Sequence, residues 1–227
     1  MTIYTKNKAH KKIFSYAKSI GKDNEIGGLL LGKINPDGDI TVKDAIILKQ
    51  YKSGGSFELD DEAIGDFTKN ADANLLQSVI GWWHSHGVFN TFWSNVDDMT
   101  FKRMCNLSNF CLGVVISLRG NKENSRWRLD IKDKNNIYVS IDNITPEIPQ
   151  TYVNYFVDKK EIDEEVKSLV HDEINFYETC PTCRGSGHIF TPHKKKNNIK
   201  QIAYHNEDTL PQWYDKNKFY DEYDYIG

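Results

Sequence analysis

The stretch that decides the fold runs from Leu75 to Leu107 and reads LLQSVIGWWHSHGVFNTFWSNVDDMTFKRMCNL. Its first part, Leu75 to His86, is an apolar run that predicts a strand, and Ser94 to Leu107 predicts a helix that begins after a loop. Alternate side chains of a strand project from one face, so His84 and His86 are expected to share a face. The stretch therefore predicts two imidazoles side by side where a strand ends.

The segments around this stretch predict further strands and helices. The turn Asn35-Pro36-Asp37-Gly38 separates two apolar runs and predicts a hairpin, whereas the Gly/Ser-rich segment Lys52 to Phe57 predicts a loop. Further strands are predicted over Ile26–Leu31, Ile40–Leu48, Phe110–Leu118, Arg126–Ile131 and Ile137–Ile141, and further helices over Lys6–Ile20 and Asp60–Ala71. Helices interleaved with strands predict an α/β fold with a central mixed sheet flanked by helices.

Two neutral imidazoles on one face are half of a zinc site, and Asp97 is near enough along the chain to supply a third ligand. Three protein ligands leave one position for water, which is typical of a catalytic zinc site rather than a structural one. Such a site also needs a carboxylate that takes a proton from water and passes it to the leaving amine.

The spacing of these residues resembles a known motif. His84-Ser85-His86, seven intervening residues, Ser94, two more residues and Asp97 match the pattern His-x-His-x7-Ser-x2-Asp of the JAMM (JAB1/MPN/Mov34) zinc metallopeptidases. The segment Glu25-Ile26-Gly27-Gly28-Leu29-Leu30-Leu31-Gly32 is similar to the one that carries the catalytic glutamate of that family. The resemblance covers residues 5 to 145.

The resemblance implies a JAB/MPN fold, which is similar to that of cytidine deaminases, and a set of residue roles. It implies that His84, His86 and Asp97 bind the catalytic Zn²⁺. It further implies that Glu25 is the general acid and base, and that the hydroxyl of Ser94 stabilises the oxyanion of the tetrahedral intermediate.

The loop after the second histidine departs from the eukaryotic members of that family. Gly87 follows His86 where deubiquitinating members usually have proline, and the next six residues, Val88 to Trp93, are rich in aromatic side chains. The sequence of this loop is more similar to that of the prokaryotic and viral branches. Metal binding is expected to survive the change, whereas substrate preference does not carry over from eukaryotic relatives.

Each part of the motif also has a plainer interpretation. A histidine pair can simply satisfy backbone groups, Ser94 and Asp97 can form a helix capping box, and Glu25 can be a solvated carboxylate beside Asp23. A metal-free relative that serves as a scaffold would lack one or more ligands, and none is missing. The coincidence of spacing and residue types favours the catalytic interpretation.

The composition changes after Pro146 and Pro149. We predict a metallopeptidase domain over 1–147, a linker with an amphipathic helix over 148–178, a zinc knuckle with a basic run over 179–200, and an acidic aromatic tail over 201–227. The segments after residue 147 form a small C-terminal appendage, helical and then knuckle-like, to the α/β domain.

The appendage contains Cys180, Cys183, His188 and His193. Their spacing, Cys-x2-Cys-x4-His-x4-His, resembles a zinc knuckle and predicts a second, structural Zn²⁺. The same segment also resembles one Cys-x2-Cys-x-Gly-x-Gly unit of DnaJ-type domains, which need two units per zinc, and a redox-active or metal-free cysteine pair is the third alternative. The basic run Lys194, Lys195 and Lys196 predicts contact with nucleic-acid phosphates or with a protein partner.

Charge and hydropathy bound the function classes. The formal net charge of -3 argues against bulk electrostatic attraction to nucleic acid or to an anionic membrane. The sequence has no apolar run near the roughly 20 residues of a membrane helix, and its first residues lack the apolar core of a secretory signal. The 4 cysteines are too few for a disulfide framework. These features together predict a cytoplasmic protein, of a bacterium or a virus-infected host cell.

The sequence thus predicts a zinc-dependent isopeptidase or peptidase that cleaves ubiquitin-like conjugates or a linear protein precursor. The alternative from another class is an adaptor, which binds nucleic acid or protein through the knuckle and uses the JAMM domain as a platform.

Overall fold

The computed structural model describes residues 1–53, 55–148, 156–172, 178–179 and 188–189. The helices are α1 (Asn7–Ile20), α2 (Asp61–Asn70), α3 (Ala73–Gln77), α4 (Asn95–Ser108) and α5 (Lys159–Leu169). The strands are β1 (Ile3–Thr5), β2 (Gly27–Ile34), β3 (Ile40–Ile46), β4 (Gln50–Ser53), β5 (Ser56–Leu59), β6 (Val79–Ser85), β7 (Phe110–Ser117), β8 (Asn124–Lys132), β9 (Tyr138–Ile144), β10 (Val170–Asp172), β11 (Glu178–Thr179) and β12 (His188–Ile189).

The main sheet has 7 strands in the order β1-β3-β2-β6-β7-β8-β9. β1 is parallel to β3 and β6 is parallel to β7, whereas the other neighbours are antiparallel. β4 forms a separate 3-stranded sheet between β10 and β5. The predicted α/β fold with a mixed central sheet flanked by helices is confirmed.

Helices cover both faces of the main sheet, and two adjacent tryptophans mark the two sides. Trp83 belongs to the larger core, which also contains the apolar side chains of α1 and α5. Trp82 packs on the other face, against Phe101 and Cys105 of α4. Because successive side chains of a strand point to opposite faces, His84 and His86 lie on the α4 face with Trp82. The site is therefore built between β6 and α4.

Most predicted elements agree with the structure. The predicted hairpin is formed by β2 and β3, whose turn is closed by the N–H of Gly38 donating to the C=O of Asn35 at 2.9 Å. Gly38 adopts φ 85°, which favours glycine. The helices predicted over Lys6–Ile20, Asp60–Ala71 and Ser94–Leu107 are confirmed within one residue at each end.

Two predictions about local structure were wrong, and one short strand was not predicted. The strand predicted from Leu75 begins only at Val79, because Asp72 accepts a hydrogen bond from the N–H of Leu75 at 2.9 Å and so begins the short helix α3. The loop predicted over Lys52–Phe57 is largely the hairpin of β4 and β5. The three-residue strand β1 carries no periodic pattern and was not predicted.

The helix predicted in the linker packs on the main domain. Ile162 and Val166 of α5 are buried in the larger core, and Tyr16 of α1 donates a hydrogen bond to Glu165 at 2.7 Å. Directly after α5, β10 runs parallel to β4. The domain boundary at residue 147 stays a prediction, and the segment beyond it contributes to the same core. Among the described helices, none is long and apolar enough to cross a membrane.

Candidate active site

The end of β6 carries two buried imidazoles. His84 and His86 are 2% and 5% exposed, and their Nε2 atoms lie 2.9 Å apart. Nδ1 of His86 lies 2.9 Å from the backbone oxygen of Asn90, and a carbonyl oxygen can only accept, so Nδ1 carries the proton. The other ring nitrogen, Nε2, faces His84.

Asp97 completes the group from the first turn of α4. Its Oδ1 atom lies 3.5 Å from Nε2 of His84, and the residue is 6% exposed. One ligand atom from each of the three residues falls within 4.8 Å of the others. Within the described part of the chain, no other group of three or more His, Cys, Asp or Glu side chains is placed to hold a metal ion.

The geometry of Asp97 follows from how α4 begins. Oδ2 of Asp97 accepts hydrogen bonds from the N–H of Ser94 at 2.7 Å and from its hydroxyl at 2.8 Å, while the N–H of Asp97 donates to Oγ of Ser94 at 3.2 Å. This is a capping box, so the plainer interpretation, that Ser94 and Asp97 cap the helix, is correct. The cap uses one carboxylate oxygen and leaves the other facing the imidazoles.

The donor set fits a zinc ion. Burial, and then the neighbouring His86, lower the pKa of His84 well below its ordinary value, so the ring stays neutral at pH 7. Nδ1 of His84 is buried and has no hydrogen-bond partner among the described residues. Two imidazole nitrogens and a carboxylate oxygen that converge in this way are the ligand types that zinc takes in sites with an open position.

Two aromatic rings stack on His84. Trp82 stacks on it with ring centroids 4.7 Å apart and Phe57 stacks with centroids 6.1 Å apart. Phe57 comes from β5 and rests on Gly27, where an added Cβ atom would lie 2.1 Å from the ring. The hairpin of β4 and β5 therefore forms one wall of the site.

Glu25 enters the site from the start of β2. β2 and β6 are antiparallel, with Gly27 opposite His84, so Glu25 lies beside the end of β6. A pocket of about 150 Å³ is lined by Glu25 and His86, together with Lys22 and Phe89. Burial, and then the charge of Asp97, raise the pKa of Glu25 to about 7. A carboxyl group with such a pKa can both accept and donate a proton near neutrality.

The structure thus brings together all five residues that the sequence suggested, namely Glu25, His84, His86, Ser94 and Asp97. Cys180, Cys183, His193 and the lysines at 194–196 lie outside the described residues, and of His188 only the backbone of β12 is described. The predicted second zinc and the basic partner surface therefore stay predictions.

Two residues that border the site were not suggested by the sequence. Ser85 holds the backbone of Ile26 by accepting from its N–H at 3.1 Å, and Gln50 bonds to the backbone of Gly27. The position of Ser85 between the two histidines was a usable signal. No local pattern indicates Gln50.

Comparison with known proteins shows which family the chain resembles. A family model described as prokaryotic homologs of the JAB domain matches residues 8–130. The 26S proteasome regulatory subunit RPN11 of Candida glabrata and the ubiquitin carboxyl-terminal hydrolase RPN11 of Saccharomyces cerevisiae are each 30% identical to the chain over 119 residues. That match covers 51% of this chain and 38% of either relative, so the chain spans well under half of their length. The solution structure of a Desulfitobacterium hafniense protein matches 68% of this chain and 100% of its own, with 20% identity and a TM-score of 0.42.

Proposed function

Since the family match over residues 8–130 covers more than half of the chain, the chain belongs to the prokaryotic homologs of the JAB domain, and we propose that it is a zinc-dependent peptidase or isopeptidase. The observation that carries the proposal is the convergence of three ligand atoms within 4.8 Å beside a pocket that contains Glu25. A structural site would be closed by a fourth protein ligand. Here the described residues supply three ligands and a neighbouring acid.

In this proposal His84, His86 and Asp97 hold the metal. When bound, zinc supplies Lewis acidity, which lowers the pKa of water in the site and polarises a carbonyl oxygen. The stack on Trp82 and the hydrogen bond from His86 to the Asn90 carbonyl fix both rings in advance. Outer contacts of this kind keep histidine ligands in the correct orientation and tautomer.

Glu25 is the proton carrier of the proposed reaction. It takes a proton from the attacking water and gives it to the nitrogen of the leaving amine, so that the peptide or isopeptide bond breaks without a covalent intermediate on the protein. A pKa raised to about 7 by burial, and then by Asp97, makes both transfers feasible at neutral pH.

Ser94 has two functions in the proposal. Its hydroxyl donates to Asp97 at 2.8 Å, and it can turn toward the substrate oxygen while its backbone N–H still holds Asp97 at 2.7 Å. The carboxylate thus keeps its orientation when the hydroxyl moves. Ser94 then stabilises the negative charge that develops on the substrate oxygen.

The proposed substrates are proteins, either a ubiquitin-like conjugate or a linear precursor. The name of one relative, a ubiquitin carboxyl-terminal hydrolase, supports the first class. The aromatic loop after His86 has Phe89 59% exposed and Phe92 48% exposed at the rim of the site, which suits the apolar side chains of a protein chain.

Metal analysis combined with cleavage assays tests the proposal. The purified full chain is expected to bind zinc through the site at β6 and to cleave conjugates of ubiquitin-like proteins or members of a peptide library. Asp97→Ala is expected to lose that zinc and all cleavage, whereas Glu25→Gln is expected to keep the zinc and lose cleavage. The function is refuted if zinc-loaded protein cleaves nothing, or if Glu25→Gln cleaves as fast as the parent chain.

Mass spectrometry of the products separates the two substrate classes. Isopeptide cleavage regenerates a free lysine side chain on the product. Cleavage of a linear precursor leaves a new α-amino group and no change at lysine.

A further inference from the structure

Gln50 carries a fully buried side-chain amide, with an exposed fraction of 0%. Its Oε1 accepts from the N–H of Gly27 at 3.0 Å, and its Nε2 donates to the backbone oxygens of Gly27 at 2.9 Å and Leu48 at 3.0 Å. If the amide were turned over, nitrogen would face an N–H and oxygen would face two carbonyls. Only one orientation therefore satisfies all the groups, and it locks Gln50 against the start of β2.

Gly27 needs this partner because of the strand register. Gly27 is paired with His84 of β6, whereas β3 pairs with β2 only from Leu29 onward. The C=O of Ile26 accepts from the N–H of Ser85 on the β6 side, so the backbone groups of the next residue, Gly27, point away from β6. The side-chain amide of Gln50 forms the hydrogen bonds to Gly27 that a neighbouring strand would otherwise form.

The opposite edge of the same segment is held by Ser85. The N–H of Ile26 donates to Oγ of Ser85 at 3.1 Å, and the N–H of Ser85 donates to the C=O of Ile26 at 2.8 Å. Ile26 and Gly27 are therefore fixed from both sides, by Ser85 on one edge and Gln50 on the other.

Glu25 is the residue directly before this fixed segment. Among the described residues, none forms a hydrogen bond or ion pair with the Glu25 carboxylate. The position of the carboxylate therefore depends on the backbone that carries it. That backbone is held by Gln50 and Ser85 on the C-terminal side of Glu25 and by the hydrogen bonds of Asn24 on its N-terminal side.

Gln50 is in turn held by its own strand. β4 pairs with β5, where Gln50 is opposite Leu59, and with β10, where Gln50 is opposite Val170. The amide thus projects from the middle strand of a sheet, which cannot move without disturbing both neighbours.

Resting on the proposed function, we propose that Gln50 is a positioning residue for the hydrolysis, because its buried amide holds the Gly27 backbone and thereby sets Glu25 against the metal-binding strand. It touches neither metal ligand nor substrate. Displacing a reacting group by about 1 Å can reduce a rate by about 10²-fold. The loss is therefore expected in kcat, with little change in KM.

The test compares Gln50→Leu and Gln50→Glu with the parent chain, each loaded with zinc. Gln50→Leu removes all three hydrogen bonds, whereas Gln50→Glu keeps an acceptor for the N–H of Gly27 but turns an oxygen toward the carbonyls of Gly27 and Leu48. Relative to the parent, kcat is expected to fall by about 10- to 100-fold, while KM stays within about twofold. Zinc content is expected to be unchanged in both variants.

Hydrogen exchange supplies a readout that does not depend on activity. The Gly27 amide is expected to exchange faster in Gln50→Leu, which lacks its acceptor, whereas the His86 amide, which donates to the Ile116 carbonyl at 2.9 Å, stays protected. Ile13→Val is the matched control, because Ile13 is buried in the larger core and its side chain forms no hydrogen bond with Gly27. It is expected to lower Tm without lowering kcat.

Three outcomes would overturn the inference. One is that both Gln50 variants keep the kcat of Ile13→Val. The second is that their loss of kcat merely follows a loss of zinc or of folded protein. The third is a parent chain that cleaves nothing, which refutes the proposed function as well, whereas the first two leave that function standing.

Discussion

Ser94 and Asp97 cap helix α4 with the same carboxylate that faces the imidazole pair. Oδ2 of Asp97 accepts from the backbone and the hydroxyl of Ser94 at 2.7 and 2.8 Å, and Oδ1 lies 3.5 Å from Nε2 of His84. A helix cap and a candidate metal ligand are thus one group. Changes at Ser94 are expected to affect both the stability of the fold and the chemistry of the site.

Ser94→Ala is expected to separate these two effects. Loss of the cap costs about 1 kcal/mol of unfolding free energy, and loss of the hydroxyl as an oxyanion donor lowers kcat by about 10² to 10³. Zinc is expected to stay bound, because the Ser94 backbone N–H still orients Asp97. Urea unfolding, metal analysis and steady-state kinetics measure the three quantities.

Asp72→Ala is the matched control for this variant. Asp72 caps α3 by accepting from the N–H of Leu75, and it contributes nothing to the site. It is expected to lower stability by a similar amount and to keep the parent kcat. Equal kcat values for the two variants would show that Ser94 acts only as a cap.

Glu25→Gln is expected to stabilise the metal-free chain at alkaline pH. Burial, and then the charge of Asp97, raise the pKa of Glu25 from 4.5 to about 7, so the folded state holds a proton that the unfolded state has already released. The resulting loss of unfolding free energy is absent below pH 4.5, grows as the pH rises to 7, and is complete above pH 7. Solvent reduces its size because Glu25 is only partly buried.

Thermal unfolding of the metal-free proteins at pH 4, 6 and 8 measures this effect. The Tm of Glu25→Gln is expected to exceed that of the parent chain at pH 8 and to equal it at pH 4. Asp23→Asn serves as the control, because this neighbouring carboxylate is exposed. A Tm difference that does not change with pH would contradict the assignment of a raised pKa to Glu25.

Gly27→Ala is expected to displace Phe57 from the wall of the site. The added Cβ atom would lie 2.1 Å from the Phe57 ring, and overpacking of this kind costs about 1 to 3 kcal/mol. In the double variant with Phe57→Ala, the clash is absent, so the two costs are expected to be less than additive. Urea unfolding of the four proteins of this cycle measures the coupling, and strict additivity would contradict the contact.

A chain that ends at residue 147 is expected to be less stable than the full chain. It loses α5 and β10, whose Ile162, Val166 and Val170 are buried in the main core, and each such side chain contributes about 1.5 to 3 kcal/mol. Urea or thermal unfolding would detect the loss. An unchanged Tm would show that the boundary predicted at residue 147 separates independent units.

Local patterns were enough to predict α4, which borders the site, and several elements beyond it. α1 and α4 follow from apolar residues at helical spacing, and the hairpin of β2 and β3 follows from two apolar runs around an Asn-Pro-Asp-Gly turn. β4, β5 and β10 were not predicted, because β4 pairs with residues about 120 positions away and a Gly/Ser-rich segment resembles a loop. Short strands of this kind are defined by their partners rather than by their own pattern.

The sequence by itself predicted the candidate ligand set, because His84, His86 and Asp97 lie at the end of a strand and at the start of the following helix, which local patterns indicate. Only the tertiary structure decided how Glu25 is placed beside these three residues. Glu25 is 59 positions from His84, and its placement depends on Gln50, whose hydrogen bonds to Gly27 join segments that no spacing connects. Side-chain periodicity encodes which face a residue occupies, whereas a hydrogen bond between distant segments exists only once the chain has folded.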